Sequence, residues 1–272
     1  MTKGRIVNMR LGFIGLGNMA TAMIGGIIRN CVVEPSDIYG VDVVKAANER
    51  AAENLKIQIA GGNCELARTA DVIVLSVKPQ FYEEVIAEIR NEITRDKCVI
   101  TIAPGKTLEW LGQQFGKEVK IVRCMPNTPA LVGEGCTGVC RNAFVTDDEL
   151  LRIMTILNSF GKAHSVSEHL MDTVVAVSGS APAYVFMMIE AMADAAVAEG
   201  MARKDAYEFA AQAVYGSAKM VLETGKHPGE LKDMVCSPAG TTIEAVRVLE
   251  ERGFRSGLME AMRVCAEKSR NL

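Results

Sequence analysis

Two stretches of small residues carry most of the chemistry open to this chain. The first is GFIGLGNMATAM, in which Gly15, Gly17 and Ala20 keep the spacing Gly-x-Gly-x-x-Ala. The first glycine permits a tight turn. The second lets backbone approach a pyrophosphate, and the small Ala20 lets the following helix pack on a sheet. The helix start faces the anion with free N–H groups and a positive dipole end. A purely structural turn could use the same glycines. The apolar run before them, the helical pattern after them and the acid Asp42 at the end of the next apolar run favour a dinucleotide. The second stretch is DMVCSPAGTTIEAV, residues 233–246. Pro238 and Gly240 shape a turn there, and Ser237, Thr241 and Thr242 bring hydroxyls to a helix start. No acid, base or metal ligand stands inside the turn. Taken alone, such a turn reads as a helix N-cap.

Other chemistries have less support. Eight cysteines are scattered and none forms a CxxC pair, which reads as reduced thiols packed as small hydrophobes. Three histidines, His164, His169 and His227, show no ligand spacing and read as surface or capping residues. No metal site is expected. A formal charge of -3 argues against nucleic acid, which needs a clustered basic surface. No apolar run reads as long enough and charge-free enough to span a membrane. The start, MTKGRIVNMRLGFIGLG, turns straight into glycines and reads as a strand, not a signal peptide.

The elements that must position these residues fall into two halves. In the first, RLGFIGLG, DIYGVD, DVIVLSVKP, KCVITIA and KIVRCMP read as strands, and helical patterns separate them. Alternation of this kind implies a parallel, doubly wound sheet. TDDE, Thr146 to Glu149, reads as a capping box for a helix over 147–159. SVKPQ and IAPG end two of the strands, where open α/β sheets bind ligands; plain turn chemistry at Pro79 and Pro104 explains them equally well. After about His164 the strand signals stop and long helical patterns rich in alanine and methionine take over. The expected fold is α/β. A Rossmann-type doubly wound sheet spans 9–165, and an all-α domain spans 166–272. The helical faces are broad for a domain of about 100 residues, so burial against a second subunit is expected.

GFIGLGNMA, SVKP, RCMPNTPALV, SGSAPAYVFMMIEAMADAAV and MVCSPAGTTIEAVRVLEERGFR together resemble the Δ1-pyrroline-5-carboxylate reductases. The likeness runs from about Arg10 to Lys268, and the last block is the family signature. It implies a Rossmann domain with a helical dimerisation domain. It implies reduction of pyrroline-5-carboxylate to proline by NAD(P)H, the last step of proline synthesis, usually in the cytoplasm. It also implies a homodimer at least, and family members often assemble as pentamers of dimers.

Roles follow residue by residue from the resemblance. Gly15, Leu16, Gly17, Asn18 and Met19 match the phosphate loop. Asn63 matches an asparagine that contacts the adenosine end of the cofactor. Ser76, Val77, Lys78 and Pro79 match the segment beside the ribose and nicotinamide, and Ala103 and Asn127 match positions lining the nicotinamide. Ser237, Gly240, Thr241 and Thr242 match the substrate loop, with Thr242 as the candidate catalytic residue. Ala239 and Ala181 depart from the family pattern, which has glycine or, at Ala181, serine. Asp42 departs with more consequence: many relatives carry serine, threonine or a basic residue in this turn and use NADPH. A carboxylate there accepts from ribose hydroxyls and repels a 2′-phosphate, which implies a lean toward NADH with NADPH still accepted through Lys45 or Arg50. Helix capping is the other reading of Asp42.

A protonated imine is already an electrophile, so a loop without acid or base can serve by positioning and electrostatics. The β-hydroxyacid dehydrogenases share this architecture but place a catalytic lysine on the first long helix of the second domain. Here no lysine follows SGSAP before Lys204. A nucleotide-binding regulatory protein without turnover is the rival of another class, and the intact loop argues against it.

Overall fold

The computed structural model describes Ile6 and residues 9–271. The rest of the expected N-terminal strand segment lies outside the described residues. By its internal contacts the chain forms two compact units, Met1–Ser180 with Cys265–Leu272, and Ala181–Val264.

The first unit is built on strands that alternate with helices. Strand β1 (Leu11–Ile14) is followed by helix α1 (Asn18–Arg29), and β2 (Ile38–Val41) by α2 (Lys45–Leu55). The two-residue β3 (Gln58–Ile59) precedes α3 (Asn63–Thr69), and β4 (Val72–Leu75) precedes α4 (Tyr82–Ile89). Then come β5 (Cys98–Thr101), α5 (Leu108–Phe115) and β6 (Lys120–Met125). β7 (Gly135–Arg141), α6 (Asp147–Leu157), β8 (Gly161–Ser165) and the short α7 (Met171–Val174) complete the unit before its last residues.

All four residues of β1, β4 and β5 are buried. That follows from helices covering both sheet faces. Side-chain alternation splits the core in two. Leu11, Phe13, Val72 and Val74 pack with α1 and α6, and Ile14, Ile73 and Leu75 pack with α3, α4 and α5. The sheet runs β3-β2-β1-β4-β5-β6-β7-β8. Every pairing is parallel except β6 with β7. The doubly wound expectation holds, with three strands added. β3 is too short to show a period, and β7, GCTGVCR, is diluted by glycine. β8, GKAHS, is largely polar at the sheet's edge. The order reverses between β1 and β4, so the crevice for a ligand opens at their C-terminal ends.

Capping sets several boundaries. Thr146 and Glu149 exchange hydrogen bonds at the start of α6, and this capping box is the one the sequence announces. The His227 Nδ1 accepts the Gly229 N–H at the start of α10 (Pro228–Met234), the capping role expected of a histidine here. All eight cysteines are free. Burial pushes the Cys98 thiol up to about 12 and the Cys140 thiol up to about 11.

The second unit is helical: α8 (Ala181–Ala198), α9 (Arg203–Thr224), α10, α11 (Thr241–Glu251) and most of α12 (Phe254–Arg270). α8 and α9 pack on each other. One sequence expectation is corrected here. The continuous helical run Glu168–Ala198 holds a window of mean hydropathy 1.5, apolar and long enough to cross a membrane by length and composition. Joining of a 3₁₀ turn (Glu168–Leu170), α7, a π-helical turn (Val175–Gly179) and α8 produces that length. Only 6% of the window is buried within the chain.

Candidate active site

The glycine loop follows from what side chains would do there. Gly15 has φ +94°, and a Cβ on it would meet the Ser76 carbonyl at 2.9 Å. Only glycine tolerates both. A Cβ on Gly17 would meet nothing within 4 Å, so this backbone borders open space. Gly17 is the N-cap of α1, no side chain caps that end, and no acid lies in the first turn. Asn18 and Met19 open this first turn, so the N–H groups of an uncapped helix face an empty approach. That arrangement accepts a phosphate.

A cavity of about 520 Å³ lies beside the loop, at the crevice the strand order marks. Gly15, Gly17, Asp42, Asn63, Ser76, Val77 and Lys78 from the sequence reading all line it. Its charged wall consists of Asp42, Glu84 and Glu88 against Lys78. Val43 is 98% exposed at its edge, and Phe81 is half exposed. Both give apolar surface for a planar base.

Hydrogen bonds hold the wall in place. The Asp42 carboxylate accepts the Leu16 N–H at 2.7 Å and the Val44 N–H at 2.8 Å. It therefore fastens the glycine loop to the turn that starts α2. The Asn48 amide clamps the Asp42 backbone from both sides, at 2.8 Å each. The Ser76 hydroxyl donates to the Gly15 carbonyl at 2.7 Å, with the Ile14 carbonyl at 3.0 Å. Lys45 lies 3.6 Å from Glu49, and neither Lys45 nor Arg50 belongs to the lining.

The remaining expected residues stand off the cavity wall. Leu16 is buried, and its N–H is held by Asp42. Pro79 opens a 3₁₀ turn, Pro79–Phe81, and Ala103 is buried just beyond β5. Asn127 spends its side chain on structure: its Oδ1 accepts the Cys136 N–H at 2.7 Å, and its Nδ2 donates to the Ser178 carbonyl at 3.1 Å.

Sequence reading missed three residues of consequence. Glu84 and Glu88 are on the exposed face of α4, where acids look like ordinary solvent contacts. Tyr82 is fully buried on the same helix. Its hydroxyl donates to the Leu75 carbonyl at 2.6 Å and accepts from Thr101 at 3.0 Å, tying the ends of β4 and β5 together. Burial pushes this phenol up to about 12, so it remains a donor. A tyrosine at a core position of an amphipathic helix needs such a partner, and that was the available signal.

The second loop is in the helical unit. The Gly240 N–H donates to the Ser237 carbonyl at 3.0 Å, which closes a turn over Pro238 and Ala239. Ala239 takes φ +57°, the left-handed value this turn position demands. A Cβ on Gly240 would sit 2.3 Å from the Ser237 hydroxyl, so a larger residue there would force that hydroxyl to turn away. Gly240 is the N-cap of α11 and carries no side-chain cap. Ser237, Thr241 and Thr242 thus flank a second uncapped helix start, whose free N–H groups and positive dipole end favour an anion.

Residues 168–272 match the family model described as pyrroline-5-carboxylate reductase dimerisation, and residues 10–105 match the one described as NADP oxidoreductase, coenzyme F420-dependent. The chain is 52% identical to the pyrroline-5-carboxylate reductase of Escherichia coli (strain K12), covering 97% of this chain and 98% of that one. It is 43% identical to the enzyme of that name from Methanosarcina acetivorans, over 97% and 98%. The crystal structure of Plasmodium falciparum pyrroline carboxylate reductase with NADP bound superposes with a TM-score of 0.90 at 34% identity, covering 98% of this chain and 99% of that one.

Proposed function

The chain belongs to the pyrroline-5-carboxylate reductase family, and from that premise we propose that it reduces the cyclic imine of 1-pyrroline-5-carboxylate to L-proline, the last step of proline biosynthesis. The observation that carries the reading is the pair of uncapped helix starts, one on each unit. One suits a pyrophosphate and the other a carboxylate. The open space at Gly17 and the cavity beside it fit a nicotinamide dinucleotide, which supplies hydride when bound.

The chain's own residues do the rest. Gly15, Leu16, Gly17, Asn18 and Met19 hold the pyrophosphate. Asn63 and Asp42 take the adenosine end, and Ser76 to Pro79, Ala103 and Asn127 border the nicotinamide side. Ser237, Gly240, Thr241 and Thr242 bind the substrate carboxylate. Thr242 is the residue nearest to catalysis, because orienting the protonated imine is the work left to the protein. Water or a substrate already protonated supplies the proton on nitrogen.

Three acids against one lysine on the cavity wall favour NADH over NADPH, with both accepted. The working unit in this proposal is a homodimer at least, divided into a dinucleotide domain over 9–165 and a dimerisation and substrate domain over 166–272. A pentamer of dimers in the cytoplasm is its fullest form, on the family's habit. Following NADH and NADPH oxidation with pyrroline-5-carboxylate tests the whole reading. Turnover with proline as product is expected, and cofactor binding without turnover would instead mark a regulatory protein. Thr242→Ala tests the loop. Losing a hydrogen bond to a charged group costs about 1.5–3 kcal/mol, so kcat/KM should fall roughly tenfold to a hundredfold with cofactor affinity unchanged. Unaltered kinetics would remove Thr242 from the site.

A further inference from the structure

Asn63 opens α3 and lines the cavity, but its side chain does not stand alone there. Its Nδ2 donates to the Glu88 Oε2 at 2.7 Å, across 25 residues of sequence. The Cys64 thiol, next in the chain, donates to the Glu88 backbone carbonyl at 3.4 Å. Two side chains of the first turn of α3 are therefore hung on one residue of α4, and Glu88 itself lines the same cavity. A carboxylate has no hydrogen to give and can only accept. The amide of Asn63 must turn its NH₂ toward Glu88, which leaves its carbonyl oxygen and second N–H available to a group in the cavity.

We propose that Glu88 is a positioning residue for cofactor binding: it fixes the rotamer and the amide orientation of Asn63, so that the asparagine meets the ribose or base of the dinucleotide with its acceptor in place. This rests on the reading that Asn63 contacts the cofactor. Glu88 makes the contact better by removing the entropy of an otherwise free side chain before binding. It takes no part in hydride transfer, so its loss is felt in cofactor binding and not in turnover at saturation.

The test is a set of NADH titrations by fluorescence with parallel steady-state kinetics on the full-length enzyme and four variants. Glu88→Ala should weaken NADH about fivefold, the loss of one charge-assisted hydrogen bond at an exposed site, with kcat at saturating cofactor unchanged. Glu88→Gln keeps an acceptor oxygen for Asn63 Nδ2 and should restore binding to within about twofold of wild type. Asn63→Ala should match Glu88→Ala, and the double variant should be no worse than either single one, because the pair acts as a unit. Additive losses in the double variant, a fall in kcat, or no rescue by Glu88→Gln would overturn the proposal. Weakening by Asn63→Ala without weakening by Glu88→Ala would also overturn it while leaving the asparagine's contact intact. If Asn63→Ala binds NADH like wild type, the underlying contact fails, and this inference with it.

Discussion

Asp42 and Ala239 show single residues with two demands placed on them. Both oxygens of Asp42 already accept backbone N–H groups, from Leu16 and Val44. The cap of α2 is Val44, with no side-chain cap bond, so what the fold realises for this acid is a structural tie in the turn ahead of the helix. It does not displace the ribose reading, because a carboxylate offers about four acceptor positions. Asp42→Ser removes the charge that opposes a 2′-phosphate. The ratio of kcat/KM for NADPH to that for NADH should rise about tenfold, equivalent to ~1.4 kcal/mol. Both values should also drop somewhat, since serine cannot hold Leu16 and Val44 together. A ratio unchanged within twofold would leave Asp42 a structural role only. Ala239 carries strain, for its φ of +57° suits glycine better. Ala239→Gly relieves that strain but loosens the unfolded chain, and the two effects oppose. A net gain of roughly 0.5 kcal/mol should raise Tm by about 1–2 °C. A lower Tm on thermal melting would mean that unfolded-chain entropy dominates.

At the level of elements, caps and covered strands decide how much could be read in advance. Glu149 closes the capping box of α6 and also accepts from Lys120 on β6 at 2.6 Å. Burial opposes its ionisation, but the bonds from Lys120 and Thr146 outweigh that and hold the carboxyl below its ordinary value. A lowered carboxyl contributes stability that is complete above the unfolded-chain pKa and is lost as pH falls through the folded one. The Tm advantage of wild type over Glu149→Gln should thus be full above about pH 5 and close on acidification. A gap independent of pH would deny the ionised form its part. The same box was legible in the sequence because all its atoms lie within four residues. The apolar runs of β1, β4 and β5 were legible because burial on both faces leaves no polar positions. β3, β7 and β8 were not, being short, rich in glycine or polar at an edge. Likewise the glycine loop and Asp42 were visible as local patterns. Glu88 became visible only when folding set α4 beside α3, and the Arg123–Glu168 ion pair at 3.0 Å spans 45 residues. Contacts of that separation have no local signature.

At the scale of the molecule, the helical unit leaves too much apolar surface uncovered for a lone chain. Phe186, Met187, Phe209, Leu222 and Met259 are all more than 60% exposed, and they are spread over α8, α9 and α12. Monomeric proteins rarely leave such surface in water. The part of the membrane-length run that lies in this unit, α8, carries Phe186 and Met187, and a protein partner can cover it as well as lipid would. The match of residues 168–272 to a dimerisation model points to a second copy. On this reading the apolar composition of α8 is an interface composition, and the broad helical faces seen in the sequence need a partner to be complete. Sedimentation at dilute concentration should give at least twice the mass of one chain, without detergent. Phe209→Asp would bury a charge if the site is covered in the assembly, at a cost of several kcal/mol, while costing little on an exposed surface. The variant should therefore sediment as monomer or aggregate, with reductase activity lost. A wild type that runs as an active, monodisperse monomer, or a Phe209→Asp enzyme with unchanged mass and activity, would show that these helices meet no second subunit.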